Sequence, residues 1–140
     1  MIESGEFALW GLRLAGAGQV VFALLHPVAA RGLKISHEAA RMSRLNARVF
    51  RGLFGFVTGL NLLFGLLFLL APQLLLDGSL LARLVLGTIT LYWSARLMLQ
   101  VFYYPWQTAP GWYGGLPVRA GMLFAFTSFS AAGICALVVA

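Results

Sequence analysis

Residues 36–72 read SHEAARMSRLNARVFRGLFGFVTGLNLLFGLLFLLAP, an arginine-striped segment that runs directly into an apolar one. In its first half Arg41, Arg44, Arg48 and Arg51 recur at i, i+3, i+7 and i+10, which sets four guanidinium groups on one helical face. Met42, Leu45, Val49 and Leu53 repeat with the same period on the adjoining face, about 100° round. Ser36 is expected to cap this helix, with Glu38 in its first turn, where the helix dipole favours an acid. From Gly52 to Pro72 the side chains are almost wholly apolar, about 20 residues and enough to cross the hydrocarbon of a bilayer. The stripe therefore reads as a basic amphipathic segment at an anionic membrane surface, each basic residue near the headgroups contributing about 1 kcal/mol. It also sets orientation, its arginines snorkelling to phosphate.

The whole chain agrees with that start. Of its 140 residues 61% are hydrophobic and 10% are charged, against about 25% charged in soluble domains. The mean hydropathy is +0.88, and the apolar runs lie throughout, so an integral membrane protein is expected rather than an anchored soluble one. Glu3 and Glu6 open the chain with no basic residue among the first eleven, which does not fit the positive start of a secretory signal. A single cysteine, Cys135, excludes an internal disulfide and a multi-cysteine metal site. The net charge of +6 could suit nucleic acid, but no basic patch with interleaved aromatics lies away from a membrane edge. Anionic lipid headgroups are the better partner.

Four spans are expected, at about 7–30, 52–72, 80–104 and 119–140, forming one all-α transmembrane four-helix bundle. In the first, Ala15, Gly16, Gln19, Ala23, His26 and Ala30 share one arc and Leu14, Val21, Leu24, Leu25 and Val28 the other. Small residues permit close backbone approach and lone polar groups seek partners, so the first arc should face other helices. Pro27 leaves the Ala23 carbonyl without its amide, predicting a kink there. Residues 31–51 carry six basic side chains against Glu38 alone, a net +5, whereas 71–79 carry only Asp77. The positive-inside rule then places 31–51 in the cytoplasm and both termini outside, in a membrane expected to be the bacterial inner one.

In the second span Thr58, Asn61 and Gly65 share a face with Phe54 and Phe68, and Asn61 is expected to point into the bundle. In the third, Tyr92, Arg96, Gln100 and Tyr103 at i, i+4, i+8 and i+11 form a polar-aromatic stripe, and an intramembrane arginine marks a functional-site candidate. Residues 105–118, rich in Pro, Gly, Trp and Tyr, read as a turn on the cytoplasmic interface or as a lid over a lipid-facing cavity. On the fourth span Ala125, Ser128, Ala132 and Cys135 form a small-residue seam suited to tight packing.

The chemistry available is limited. His26 and His37 raise a haem-binding subunit, but His37 would have to fold back to reach the depth of His26. No paired carboxylates, no HExxH and no Cys–His cluster indicate a metal. The length and helix count are similar to those of the small multidrug resistance transporters, whose first span carries a glutamate where this one offers Gln19; DoxX-like proteins share only length and helix count. Arg48-Val49-Phe50-Arg51, with Arg96, Gln100 and Tyr103-Tyr104 ahead of Arg119, resembles the E-R-V-F-R-A and third-helix patterns of the membrane-associated eicosanoid and glutathione enzymes. That resemblance implies a trimer in which Arg48, Arg51, Arg96 and Tyr103 line a pocket for glutathione or another anion. The family's polar residues are replaced here by Ala47, Gly55 and Thr58.

With no acid–base pair and no nucleophile beside a base, the reading favours a small non-catalytic protein. It would be a structural or accessory subunit, self-associating or part of a larger membrane complex, and it would bind anionic lipid. A glutathione-type enzyme is the first alternative, and a small-molecule transporter or haem-binding subunit the second. Ligand and lipid contacts are expected at Arg41, Arg44, Arg48, Arg51, Arg96, Gln100 and Tyr103. Gln19, His26 and Asn61 are the intramembrane polar positions, and no cofactor is expected.

Overall fold

The computed structural model describes residues 2–140, with side chains from Ser4 onward. It is all-helical, and no strand occurs among the described residues. Four helices dominate: α1 (Ile2–Leu24), α4 (Arg44–Leu70), α6 (Leu80–Met98, continued by a π-helical turn over Leu99–Tyr103) and α7 (Leu116–Val139). Each is long and apolar enough to cross a membrane. Between α1 and α4 lie two short helices, α2 (His26–Gly32) and α3 (Ile35–Ala40), and α5 (Pro72–Leu75) joins α4 to α6.

The first expected span is two helices rather than one. Leu25 forms a turn between them, its amide closing on the Val21 carbonyl, and Pro27 falls in the opening turn of α2. A proline there lacks a hydrogen that would be unsatisfied anyway, so the break predicted at this point is a complete restart. The arginine-striped helix is also divided. Ser36 caps nothing: the residue before α3 is Lys34, in the left-handed region at φ +51°. α3 ends before Arg41, and the helix that enters the apolar stretch is capped by Ser43, whose Oγ accepts from the Asn46 amide at 3.3 Å. At 1.5 Å per residue the 27 residues of α4 reach about 40 Å, against roughly 30 Å for a hydrocarbon core. The helix is thus about two turns longer than such a core, and its first two turns carry Arg44, Arg48 and Arg51. The last helix starts at Leu116 instead of 119, because Pro117 also fits a first turn.

α1 packs against α4 on one side and α7 on the other, and α6 packs on α7. α4 and α6 approach through long side chains, Asn61 and Phe64 both reaching Tyr92. The α1–α4 contact depends on glycine. A Cβ on Gly16 would stand 2.6 Å from the Leu69 nitrogen and 2.7 Å from the Gly65 carbonyl oxygen, so any other residue would push the two backbones apart. The small-and-polar arc expected on the first span turns inward along α1 and into α2: Ala15, Gly16, Gln19, Ala23 and His26 are buried and Ala30 is half-buried, while Leu14, Val21, Leu24, Leu25 and Val28 are exposed. Leu12, Phe68, Leu86, Ile89, Trp93, Phe126 and Phe129 fill the core.

The seam expected on α7 packs differently. Gly133, Ser130, Phe129 and Phe126 form its buried face, whereas Cys135 is exposed and Ala125, Ser128 and Ala132 are half-buried beside a cleft. The packing face lies one residue round from the small-residue stripe, because bulky Phe126 and Phe129 fill space around Trp93 that small side chains would leave empty.

Candidate functional site

A polar network ties three helices together at one end of the bundle. Tyr92 and Arg96, one turn apart on α6, meet Asn61 of α4. The Tyr92 hydroxyl donates to Asn61 Oδ1 at 2.6 Å, and Arg96 Nη1 donates to the same oxygen at 3.3 Å and to Tyr92 Oη at 2.9 Å. Because Oδ1 takes both donors, the amide nitrogen of Asn61 faces α2 and meets His26 Nε2 at 3.4 Å. The donor and acceptor roles in that contact follow the imidazole tautomer, and the other ring nitrogen, Nδ1, is buried without a hydrogen-bond partner among the described residues. Asn61 is fully buried and His26 nearly so.

Arg96 is also surrounded by rings. Its guanidinium carbon lies 5.8 Å from the centroid of Phe22, 5.7 Å from Tyr92, 5.6 Å from Trp93 and 5.2 Å from Phe126. Arg96 lies in the last turn of α6 and is half-buried, so the roughly 3 kcal/mol that insertion scales give an arginine at a transmembrane-helix centre is an upper bound for it. A desolvated cation–π contact contributes about 2 kcal/mol, and an interhelical hydrogen bond in a membrane about 0.6 kcal/mol. Rings and hydrogen bonds of that size can hold the cation without a carboxylate. Both hydrogens of Nη1 are used, whereas Nε and Nη2 make no hydrogen bond among the described residues.

The remaining predicted positions divide by environment. Gln100 is buried; its side-chain Nε2 donates to Met122 Sδ at 3.2 Å, and its backbone carbonyl accepts from Trp106 Nε1 at 3.1 Å. Tyr103, expected on the same stripe, is 73% exposed. The π turn over Leu99–Tyr103 carries an extra residue per turn relative to the α-period, and that rotates Tyr103 off the face of Arg96. Gln19 is fully buried with neither amide atom hydrogen-bonded, and Trp93 Nε1 and Ser130 Oγ are likewise buried without a partner. Arg41, Arg44, Arg48 and Arg51 are all exposed, Arg41 standing 4.0 Å from Glu38. Neither Arg48 nor Arg51 lines the cleft that Arg96 faces. His37 is exposed on α3, away from the buried His26.

That cleft lies between α1, α2, α4 and α7 and has a volume of about 1290 Å³. Arg96, Gln100 and His26 line one end, with Trp106 and Tyr113 beside them; Ala15 and Gly18 of α1 and Ala125, Ser128 and Ala132 of α7 line its length. Residues 106–108 and 111–114 form two 3-10 turns at the polar end. They are held there by Gly32 of α2, where a Cβ would come within 2.8 Å of Tyr113 and 3.0 Å of Trp112. Burial pushes the Tyr113 phenol above its usual range, against a smaller opposing pull from the Arg96 charge, so it remains protonated. At the other end of the bundle, hydrogen bonds from the Ser79 side chain and amide hold the Asp77 carboxyl below its usual range.

The sequence pattern missed Phe22, Trp93 and Phe126 as partners of Arg96. Phenylalanine in an apolar run carries no positional signal, and tryptophan is expected at membrane interfaces rather than at a bundle centre. No protein-family model matches the chain, and neither curated proteins nor solved structures provide a match.

Proposed function

We propose that this chain is an integral membrane protein that works by binding rather than turnover. Its four long helices cross a bilayer, expected to be a bacterial inner membrane, with residues 31–51 on the cytoplasmic side. It serves as a small accessory or self-associating subunit that gathers anionic lipid. The observation that carries this reading is the placement of charge. Arg41, Arg44, Arg48 and Arg51 stand exposed on the turns that precede the apolar length of α4. There each can meet a headgroup phosphate for about 1 kcal/mol. The division at Ser43 leaves Arg44, Arg48 and Arg51 on one face of α4 and Arg41 just before it. The outer surfaces of all four long helices carry large exposed apolar side chains, among them Phe7, Phe56, Leu91 and Phe124, as contact with lipid tails requires.

Native mass spectrometry of protein extracted from phosphatidylglycerol-containing vesicles tests the reading. Bound anionic phospholipid is expected, reduced severalfold in the double variant Arg41→Gln/Arg44→Gln. Retention that ignores those changes would remove the lipid assignment. Orientation is checked separately with Ser36→Cys on a Cys135→Ser background, which should react with an impermeant thiol reagent only after the cells are opened.

A further inference from the structure

We infer that the cleft between α1 and α7 is a binding site for an acyl chain with an anionic head. The head is held by Arg96, and the chain lies along Ala15, Gly18, Ala125 and Ala132. The inference rests on the membrane reading above, because an acyl ligand enters from a bilayer. It differs in place and in chemistry from the exposed arginines, which meet headgroups at the surface.

Three observations converge on it. The first is a cation with no acidic partner and with donors to spare. Arg96 Nε and Nη2 are free among the described residues, and these are the two groups that present parallel N–H bonds to a carboxylate or phosphate. No described acid answers that charge: Glu38 stands by Arg41, Asp77 is bound by Ser79, and Glu6 lies in the exposed opening turns of α1. The second is orientation. Asn61 and Tyr92 grip Nη1 and four rings surround the guanidinium, so its geometry is set before any ligand arrives, which lowers the entropic cost of binding.

The third is the shape of the apolar part. A volume of about 1290 Å³ exceeds the roughly 300–1,000 Å³ of ordinary small-molecule pockets. Away from Arg96 its walls are an apolar trough in which small side chains of α1 and α7 alternate with larger ones such as Phe22, Phe54 and Phe129. Leu14, Val21 and Phe124 belong both to its lining and to the exposed apolar surface, so the trough is continuous with the faces that meet lipid tails. One cation at the end of such a trough matches an amphiphile with one anionic end. A free fatty acid and an anionic phospholipid share that chemistry.

Photolabelling of the full chain in phosphatidylcholine nanodiscs tests it, with two probes used in parallel: diazirine-bearing palmitate and diazirine-bearing phosphatidylglycerol. Peptide mass spectrometry should place the label on residues 11–29 and 118–132. Labelling by palmitate assigns the site to a fatty acid, and labelling by phosphatidylglycerol alone assigns it to phospholipid. Arg96→Gln should lower site labelling about tenfold, the loss of roughly one charge-assisted pair.

Gly121→Phe should do the same by filling the trough, since a Cβ at Gly121 meets nothing within 4 Å and the polar network is untouched. It keeps the test valid should Arg96→Gln fail to fold. Label spread over outer faces such as Leu66 and Leu91, or yields unchanged in both variants, would overturn the site. Equal competition by methyl palmitate and by palmitate would overturn the recognition of an anion. Arg41→Gln/Arg44→Gln should leave site labelling intact, so loss of the surface lipids and loss of the cleft are read apart. A chain that does not enter nanodiscs at all overturns both.

Discussion

The arginines of residues 41–51 and Arg96 bring the same guanidinium into opposite surroundings, and the chain treats them differently. The first group is exposed, hydrated and held by little more than its own helix; Arg41 has Glu38 at 4.0 Å, and both side chains are open to solvent. Exposed pairs of that kind contribute between nothing and about 1 kcal/mol. Arg96 is half-buried against four rings and makes two hydrogen bonds, on an element joined to α4 chiefly through those side chains. Place in the fold, rather than residue type, separates an exposed charge from one that joins helices in the interior. Removing a surface arginine should change what the protein touches, whereas disturbing the interior set should change whether the bundle holds.

Substitutions graded from the centre outward can break that contrast. The largest effect is expected from Gly16→Val, which forces α1 away from three backbone atoms of α4. Overpacking of this kind costs about 3 kcal/mol or more where the neighbour is backbone and cannot yield, and denaturation in a mixed detergent series would measure it. Asn61→Ala comes next. It leaves the Tyr92 hydroxyl, one Arg96 donor and His26 Nε2 without their shared partner, at about 2 kcal/mol. A loss below a few tenths would mean that α4 and α6 do not depend on this bridge.

Trp93→Phe should be far milder than its complete burial suggests. The indole nitrogen bonds to nothing, so the change removes an unsatisfied donor along with some ring contact. A net change within about 1 kcal/mol is expected, because removing an unpaired polar group offsets part of the lost packing. Smallest of all is Arg48→Gln, which should alter stability by less than about 0.5 kcal/mol while reducing retained anionic lipid. If Arg48→Gln destabilised the fold as much as Asn61→Ala, the division between surface and interior arginines would fail.

The helix pattern was readable because apolar runs and small-residue arcs are local. The inward arc of the first span and the face of Phe54, Thr58, Asn61, Gly65 and Phe68 follow from side-chain period alone; the structure buries most of their members and leaves Ala30, Phe54 and Thr58 half-buried. Boundaries were read less well where two signals competed. Ser36 looked like a cap, but Lys34 takes the left-handed turn and Ser43 caps the longer helix. The stripe Tyr92–Arg96–Gln100–Tyr103 held for three of its members and lost the fourth, because one π turn changes the period and nothing in Leu99–Tyr103 announces it. The α7 seam was displaced by a single residue, which sufficed to turn Ala125 and Ala132 toward a cleft instead of a neighbouring helix.

Composition and period by themselves determined that the chain forms four long apolar helices and that its basic residues gather beside one end of the second. Both depend on how neighbouring residues along the chain partition between water and hydrocarbon, a property each segment carries alone. Tertiary structure alone decided which rings surround Arg96, that Asn61 would join it to Tyr92 and His26, and that a trough would open between α1 and α7. These arise from residues far apart in sequence, brought together because Gly16 lets α1 meet α4 and Phe126 and Phe129 pack around Trp93. Close packing is a property of the assembled surfaces, and no single helix encodes it.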